Sequence, residues 1–420
     1  MATQAPIVVA PTPVERPRHG IALCLSGGGF RAALFHLGAL RRLRELGVLG
    51  RITWLSSVSG GSILAGHLAT CMARAGLRNG LAFADWSNDV VAPFHDFAAR
   101  DLRTVPVLAH LLWNWILPQP RVRHLERRYR RRLTPLLISD LPESPTFVLC
   151  ATDLTFGVNW IFSRERVGDY QAGYVKDGTA WPLARAVNAS ACVPPLFGPM
   201  LVGAAPADYR EGDYHAPDRR TLLTTLALTD GGVYDNMGLE PVWDQAAYVL
   251  VSDCGAPFDF HVGRSLLPRL LRYTAVVTGQ TRALRVRKLI GDWKADPACK
   301  RYDGGYWRIT YGFTEKRKKK LPDAGGYSQS LVSDVIARIR TDLDAFTSAE
   351  MRVLENHGYF TADYSVRRHL PALVAAGSPP PTAPYPEWMD EAKVREALRS
   401  SHRRVSLSRW LSTTFRRSQP

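Results

Sequence analysis

The sequence has few cysteines, and they are not arranged in pairs. No Cys-x-x-Cys spacing occurs, so we expect neither a disulfide framework nor a cysteine-rich zinc site. Scattered thiols are typical of a reducing compartment, which favours a cytoplasmic protein; export without a cleaved signal peptide stays open as the alternative. The cysteines are Cys24, Cys71, Cys150, Cys192, Cys254 and Cys299.

Long apolar runs are missing as well. No stretch reaches the ~18 apolar residues that a membrane-spanning helix needs. The first ten residues carry no basic side chain, and the apolar run Ile7–Ala10 stops at Pro11, so we predict no secretory signal peptide. We therefore expect a protein that is soluble or peripherally attached to a membrane.

Acidic residues are scarce relative to basic ones. Among 420 residues, 54 Lys and Arg stand against 38 Asp and Glu, which gives a net charge of +16. A charge of this sign attracts phosphate groups, on nucleic acid or on an anionic membrane, but it does not define a fold. The hydrophobic fraction of 46% is sufficient for a sizeable core and excludes a disordered or collagen-like chain.

Short apolar runs alternate with helical patterns along the first 260 residues. Apolar residues at three- and four-residue spacing predict helices over Phe30–Leu46 and Ser62–Ala75. Strands without polar alternation, separated by helices, indicate a parallel sheet that is covered on both faces. We predict an α/β fold, a three-layer sandwich with a mostly parallel central sheet. The predicted strands are Gly20–Leu25, Ile52–Val58, Thr146–Ala151, Leu222–Leu228 and Tyr248–Val251.

The chain is predicted to divide into a core and three further segments. A flexible Pro-rich tail, residues 1–18, precedes a core over residues 19–260, which carries a helical insertion at about 77–145. An extension over residues 261–395 is expected to pack on the core and to be largely helical, with helices at Leu331–Phe346 and Ser348–His357. A basic tail, residues 396–420, ends the chain.

Two segments combine apolar residues with nearby arginines. Within the insertion, Val105–Leu117 contains two tryptophans and is interpreted as a buried helix, with a lid as the alternative. The segment Arg399–Pro420 has six arginines and no acidic residue, and Trp410, Leu411 and Phe415 lie between them. That composition is typical of an interfacial membrane anchor and equally of a solvated tail.

The second predicted strand ends in a turn that is suited to a nucleophilic serine. The run Ser57-Val58-Ser59-Gly60-Gly61 places Ser59 between a strand and a helix, with small residues two positions away on either side. A nucleophile elbow requires small neighbours there because its strained backbone leaves no room for larger side chains. Ser57 stands where glycine is commoner. The alternative is a Ser/Gly turn that merely caps the following helix.

The first predicted strand also ends in a glycine-rich turn. Gly27, Gly28 and Gly29 present unencumbered N–H groups at the start of a helix, a place that can hold a phosphate or a developing oxyanion. The spacing through Ala32 also fits a dinucleotide-binding fingerprint. That function needs an acidic residue at the end of the second strand, and Ser56–Ser59 stands there instead.

A nucleophilic serine requires a base, and Asp230 is the best candidate. It follows the apolar run Leu222–Leu228 and precedes Gly231 and Gly232, so it is expected at a strand end like the other two turns. Partial burial would raise its pKa toward neutrality. An isolated Asp-Gly-Gly sequence is also a common turn. His36 and His67 fall inside the two predicted helices, where a structural role is expected.

Taken in chain order, these motifs resemble those of the patatin-like phospholipase family, serine lipid acyl hydrolases related to the catalytic domain of cytosolic phospholipase A2. The family shows a glycine-rich oxyanion turn, a G-x-S-x-G elbow and a D-G-G or D-G-A base motif. A fourth block, Ala186–Phe197, is similar to the family's A-S-x-A-x-P-x-x-F sequence. The resemblance covers roughly residues 20–255.

The resemblance implies a role for each matching residue. Ser59 would be the nucleophile and Asp230 its base, a dyad without histidine. The amides of Gly28 and Gly29 would form the oxyanion hole, and Gly27 would shape the turn. Arg31 matches an arginine that faces the lipid phosphate in the cytosolic phospholipase branch. The implied mechanism uses no metal and no organic cofactor, and nothing in the chain resembles the calcium-binding C2 domain of that branch.

Besides Ser57, two motif positions depart from the family pattern. Ser26 stands where plant members have aspartate, and Ala32 stands where many members have the last glycine of the first turn. Neither position supplies a reacting group, so the departures bear on head-group preference and leave the implied hydrolysis intact.

Three function classes follow from the sequence. The first is a hydrolase that acts on phospholipids or related lipids at an anionic membrane or micelle interface. The second is a catalytically silent membrane-binding protein that keeps the fold. The third is a basic nucleic-acid-binding protein, which would leave the serine turn unexplained and for which no recognition motif is present, so we expect no nucleic-acid partner.

Overall fold

The computed structural model describes residues 18–102, 119–194, 197–257, 266–295 and 301–403. Three of the segments considered above lie outside these ranges: most of the Pro-rich tail, the stretch Val105–Leu117, and the basic tail beyond residue 403 with Trp410, Leu411 and Phe415.

A single mixed sheet organises the described chain. Its strands are β1 (Ile21–Leu25), β2 (Ile52–Val58), β3 (Thr146–Asp153), β4 (Asn159–Phe162), β5 (Val167–Asp169), β6 (Gly173–Val175), β7 (Met200–Leu201), β8 (Tyr209–Arg210), β9 (Ala227–Asp230), β10 (Tyr248–Asp253) and β11 (Asp303–Arg308). The long strands run parallel in the order β11-β10-β1-β2-β3, and the short strands β4, β5, β6 and β8 extend the sheet with antiparallel pairing. β9 pairs antiparallel with both β3 and β7.

Helices flank this sheet. They are α1 (Gly29–Glu45), α2 (Gly60–Arg74), α3 (Ala92–Ala98), α4 (Gln119–Arg132), α5 (Leu183–Ser190), α6 (Arg219–Thr224), α7 (Gly232–Asp235), α8 (Leu266–Trp293), α9 (Glu315–Lys320), α10 (Gln329–Asp334), α11 (Ser348–His369) and α12 (Glu391–Ala397). All five residues of β1 are buried, as expected for a strand covered on both faces. The predicted α/β class is therefore confirmed.

Two predicted elements are wrong in detail, and the predicted helix Ser348–His357 is too short, because α11 continues to His369. The apolar run Leu222–Leu228 is not one strand, because it ends helix α6 and begins β9 only at Ala227, where β3 and β7 offer pairing partners. The predicted helix Leu331–Phe346 ends with α10 at Asp334 and a 3-10 turn. The chain beyond that turn buries Arg340, whose guanidinium group is paired with carboxylates, and this pairing replaces helical packing.

The insertion and the C-terminal extension both pack on the start of α1. The ring of Phe30 lies edge-on to Phe97 of α3, with 5.6 Å between centroids, and to Phe346 of the extension, with 6.0 Å between centroids. The extension also contributes β11 to the sheet, next to β10. Both regions thus support the turn that precedes α1.

In the part of the chain that the structure describes, no helix is both long enough and apolar enough to span a membrane.

Candidate active site

Two strands bring their carboxyl ends together on β3. β2 runs parallel to β3, and its last residue, Val58, pairs with Cys150. β9 runs antiparallel to β3, and its last residue, Asp230, pairs with Ala151, while β4 occupies the other edge of β3. Because β2 and β9 approach from opposite directions, their last residues pair with adjacent residues of β3, Cys150 and Ala151. The topology therefore brings Ser59, which follows β2, next to Asp230.

Ser59 joins β2 to α2 with a backbone conformation that is rare for residues other than glycine. Its φ is 52° and its ψ is −116°. A strained strand-to-helix turn of this kind defines a nucleophile elbow, in which the serine hydroxyl stands above the sheet. The Ser59 side chain forms no capping hydrogen bond with α2, so the alternative of a simple helix cap has no support.

The glycines after Ser59 are required by close backbone contacts. An ideal Cβ at Gly61 would lie 2.3 Å from the carbonyl oxygen of Leu25, which is closer than real Cβ atoms approach. An ideal Cβ at Gly60 would collide with the carbonyl group of Gly29 in the same way. The elbow thus lies directly against the end of β1 and the first glycine-rich turn.

A cluster of buried serines holds the elbow. The Ser57 hydroxyl lies 3.0 Å from the Ser62 hydroxyl, which lies 2.8 Å from the Ser190 hydroxyl. Ser190 Oγ accepts a hydrogen bond from the backbone N–H of Ser59 at 2.9 Å and donates to the carbonyl oxygen of Cys150 at 2.6 Å. Serine at position 57, where glycine is commoner in an elbow, therefore adds a hydrogen bond that supports the turn.

Asp230 is held by the surrounding backbone. The N–H of Gly232 donates to Oδ1 of Asp230 at 2.7 Å, and the Thr152 hydroxyl donates to its carbonyl oxygen at 2.8 Å. Its own N–H donates to the carbonyl oxygen of Cys192 at 3.2 Å. The other carboxylate oxygen, Oδ2, is buried and accepts no well-aligned hydrogen bond within the described ranges. This oxygen is therefore available to accept a proton.

The environment of Asp230 sets its acidity. Burial raises the pKa of the Asp230 carboxyl group to about 6, and hydrogen bonds from Ser59 and from the N–H of Gly232 counter part of that rise. Only 3% of Ser59 and 5% of Asp230 are exposed. A carboxylate with this pKa is ionised near neutral pH and remains basic enough to take up a proton. Catalytic hydrogen bonds are often loosely aligned before substrate binds, which agrees with the unaligned Oδ2.

The first turn offers two free backbone donors. Gly28 and Gly29 have φ values of 145° and 59°, which favour glycine. In the described part of the chain, neither of their N–H groups meets an acceptor, whereas the N–H of Gly27 donates to the carbonyl oxygen of Asn236 at 3.0 Å. The amides of Gly28 and Gly29 are therefore the candidate oxyanion donors, and Gly27 has a structural role.

Asn236 connects the first turn to the base motif. An ideal Cβ at Gly27 would lie 2.4 Å from Asn236 Oδ1 and 3.1 Å from the Ser59 Cβ. An ideal Cβ at Gly232 would also collide with Asn236 Oδ1. The Gly231 N–H donates to the carbonyl oxygen of Ser190 at 3.2 Å, which fixes the other glycine of the base motif. Glycine at these positions allows the three segments to approach one another.

The two histidines inside the helices near the site are structural. His36 lies 2.7 Å from the Ser252 hydroxyl and 2.9 Å from the carbonyl oxygen of Ser26, and burial lowers its pKa to about 4. His67 lies 2.8 Å from the carbonyl oxygen of Val90, and burial lowers its pKa to about 4 as well. Both rings are neutral near pH 7, and no histidine is among the described residues that line the cleft above Ser59.

The cleft that contains Ser59 and Asp230 has a volume of about 690 Å³. Gly27 and Gly28 line its base, and one wall is a face of α8 that includes Val276 and Gln280. This volume lies within the ~300–1,000 Å³ range of small-molecule sites. Among the described residues, no group of three or more His, Cys, Asp or Glu side chains is placed to hold a metal ion.

The head-group role expected of Arg31 is not supported. The side chain is buried, and its guanidinium group donates to the carbonyl oxygens of Ala337 and Ile339, at 3.3 and 2.9 Å, and of Cys254, at 2.9 Å. These bonds occupy the guanidinium group and tie α1 to the C-terminal extension. The four motifs alone could not reveal this, because the acceptors come from segments far along the chain.

The structure adds three features that the sequence analysis missed. Ser190 lies in the block Ala186–Phe197, for which the sequence suggested resemblance but no role. Asn236 follows the base motif closely but belongs to no recognised pattern. Helix α8 falls in the half of the extension for which no helix was predicted, and its row of β-branched and basic residues gave no clear periodicity.

Comparison with known proteins finds one family and several solved structures. The family model described as patatin-like phospholipase matches residues 23–243. Human GIVD cytosolic phospholipase A2 is 15% identical with a TM-score of 0.47, covering 92% of this chain and 61% of that one. Its complex with methyl gamma-linolenyl fluorophosphonate inhibitor and terbium chloride is 13% identical with a TM-score of 0.49, covering 84% and 59%.

VipD from Legionella pneumophila is a further similar structure, 16% identical with a TM-score of 0.35, covering 84% of this chain and 68% of that one. The chain spans about three fifths of the length of the human phospholipase structures. No protein of the curated set matches the sequence.

Proposed function

Because the chain belongs to the patatin-like phospholipase family, we propose that it is a lipid acyl hydrolase that cleaves carboxylic ester bonds of phospholipids or related lipids with a Ser59–Asp230 dyad. The observation that carries the proposal is the meeting of a strained serine turn with a buried carboxylate whose pKa is raised to about 6. A structural turn needs neither the strain nor the buried charge.

In the first half-reaction, Asp230 accepts the Ser59 proton as the serine Oγ attacks the ester carbonyl carbon. The carbonyl oxygen becomes an oxyanion and accepts hydrogen bonds from the N–H groups of Gly28 and Gly29. Since these donors are already oriented, each is expected to contribute roughly 10²–10³ in rate, as single oxyanion donors do elsewhere. The tetrahedral intermediate then collapses, the alcohol or lysolipid leaves with the proton from Asp230, and an acyl-serine remains.

In the second half-reaction, water replaces the leaving alcohol. Asp230 accepts a proton from the water as the water oxygen attacks the acyl-serine carbonyl carbon. The same two amides stabilise the second oxyanion, and Asp230 returns the proton to Ser59 as the fatty acid leaves. Every proton passes through one carboxylate, so the cycle calls on no histidine, metal or organic cofactor.

The acidity of Asp230 predicts the pH dependence of the reaction. Burial raises its pKa to about 6, and only the ionised carboxylate accepts the Ser59 proton. We expect kcat/KM for a soluble ester to be constant near pH 8 and to fall about tenfold for each pH unit below about pH 6. Steady-state kinetics across this range tests the proposal. A flat profile down to about pH 4 would exclude Asp230 as the base.

A further inference from the structure

The two halves of α8 differ in how they are attached to the protein. In the second half, Arg282 Nε donates to Asp253 Oδ2 at 2.9 Å, and Arg285 Nη2 donates to Glu240 Oε2 at 3.0 Å. Leu289 is fully buried. These contacts fix the second half against the sheet end and the base motif.

One segment in the first half of α8 is exposed. Residues 273 to 277, which make more than one full helical turn, are all exposed. Tyr273 and Val277 expose 61% and 65% of their surface, and Leu284, about two turns beyond Val277, exposes 59%. These three residues lie within one stripe of the helix, because residues four and eleven positions apart fall on the same side.

Nothing intrinsic to the segment accounts for its helical form. Thr274, Val276, Val277 and Thr278 are all β-branched, and such residues are weaker helix formers than alanine or leucine. Tertiary packing normally supplies the stability of a helix, and this part has little of it. The segment therefore has the composition of a surface that is covered during function.

The exposed stripe is continuous with the active-site cleft. Val276 exposes 38% of its surface and also lines the cleft. Val193 and Val233, which expose 40% and 36%, line the same cleft from other elements. Apolar side chains thus surround the opening that leads to Ser59 and extend from it along α8.

Positive charge flanks the apolar stripe. Arg269 and Arg287 are exposed at either end, on the same side of the helix as Tyr273 and Val277. Within α8, Asp292 is the single acidic residue. With a net charge of +16, two copies of the chain repel each other, which disfavours self-association through this surface. An anionic partner with an apolar interior matches both the charge and the stripe.

We propose that the α8 docking surface, formed by Tyr273, Val276, Val277 and Leu284 between Arg269 and Arg287, inserts into the headgroup region of an anionic lipid membrane and directs the cleft toward it. The inference rests on the proposed function, because a membrane partner for this rim follows from a lipid substrate. In this arrangement α8 lies in the plane of the interface, and a lipid passes from the bilayer into the cleft without crossing water.

Vesicle binding of the full chain tests the docking surface separately from the chemistry. The Ser59→Ala protein is mixed with phosphatidylcholine vesicles with or without phosphatidylglycerol, and the bound fraction is measured by co-sedimentation. We expect binding that requires phosphatidylglycerol and weakens with salt. The double substitution Val277→Asp, Leu284→Asp is expected to weaken binding by roughly tenfold or more, since it places two carboxylates in the interface.

Leu201→Asp is the matched control, because Leu201 is 49% exposed on β7 and does not line the cleft. It is expected to bind like the parent, and all variants with Ser59 intact should hydrolyse a water-soluble short-chain ester within about twofold of wild type. Unchanged vesicle binding by the double variant would overturn the proposal. The proposal would also be overturned if wild type formed a dimer that the double substitution dissociated while vesicle binding persisted. Binding that depends on α8, together with no ester turnover by the protein with Ser59 intact, would uphold the docking surface and refute the hydrolase.

Discussion

Replacement of Ser59 by alanine is expected to abolish hydrolysis of a medium-chain fluorogenic ester, with kcat reduced by at least roughly 10⁴. The side chain supplies the only atom that is proposed to bond to the acyl group, and no other hydroxyl in the serine cluster is placed in the cleft. Ser57, Ser62 and Ser190 are buried and are hydrogen-bonded to one another. None of them can substitute for Ser59 without rebuilding the turn.

The effect should leave the fold intact. Alanine keeps the Cβ and the backbone N–H that donates to Ser190, so thermal unfolding of Ser59→Ala should match wild type closely. Ser139→Ala, at an exposed serine outside the cleft, is the matched control and should retain full activity. Equal turnover by Ser59→Ala and wild type would remove the proposed nucleophile.

Replacement of Asp230 by asparagine is the second large effect that we expect. The amide can occupy the same space and still accept the Gly232 N–H, but it cannot take a proton from Ser59. General bases typically contribute 10²–10⁴ in rate, and we expect a loss of about this size in kcat for the same ester. Asp213→Asn, at an exposed carboxylate outside the cleft, should leave kcat unchanged.

The same substitution should have a pH-dependent effect on stability. Burial raises the pKa of Asp230 from 3.8 to about 6, so between these values the folded state holds a proton that the unfolded state has lost. The free energy of unfolding of wild type therefore falls as pH rises through this window, by ~3 kcal/mol at most. The difference in free energy of unfolding, Asp230→Asn minus wild type, should accordingly be larger at pH 8 than at pH 4. Urea unfolding at the two pH values measures it. A difference of the opposite sign would show that the carboxylate is not buried as described.

Features that are set by local sequence could be predicted. The bounds of β2 agree with the prediction because the run from Ile52 to Val58 is short, carries no charge, and is followed by a Ser-Gly-Gly turn. Ser59 could be predicted as the nucleophile from its local sequence as well, since an elbow requires small neighbours within two residues. Its strain, its partners and its contact with Gly27 became visible only in three dimensions.

Features that depend on distant segments could not be predicted from the residues alone. The meeting of Ser59 and Asp230 depends on β2 and β9 approaching along β3 from opposite directions, and the sequence pattern does not reveal strand order. The partners of Arg31 could not be predicted either, because its acceptors lie between 223 and 308 residues further along the chain. The predicted helix beyond Asp334 failed for a different reason, because Arg340 is buried there and forms ion pairs with Asp344 and Glu350, four and ten residues further along the chain.

The α8 docking surface also changes where membrane contact is expected. From the sequence, the candidate membrane anchor was Arg399–Pro420, with its arginines and aromatic residues. This segment lies largely outside the described residues. The exposed stripe of Tyr273 and Val277 adjoins the cleft and needs no anchor elsewhere in the chain. Membrane anchoring by the basic tail remains a separate prediction. Vesicle binding through α8 is expected whether or not the tail is removed.

Covalent labelling tests the proposed nucleophile most directly. A fluorophosphonate probe bonds to an activated serine, and peptide mass spectrometry of the labelled protein locates the adduct. We expect one adduct, on the peptide that contains Ser59, with labelling that is lost in Ser59→Ala and slowed in Asp230→Asn. An adduct on another serine, or equal labelling of wild type and Ser59→Ala, would contradict this expectation.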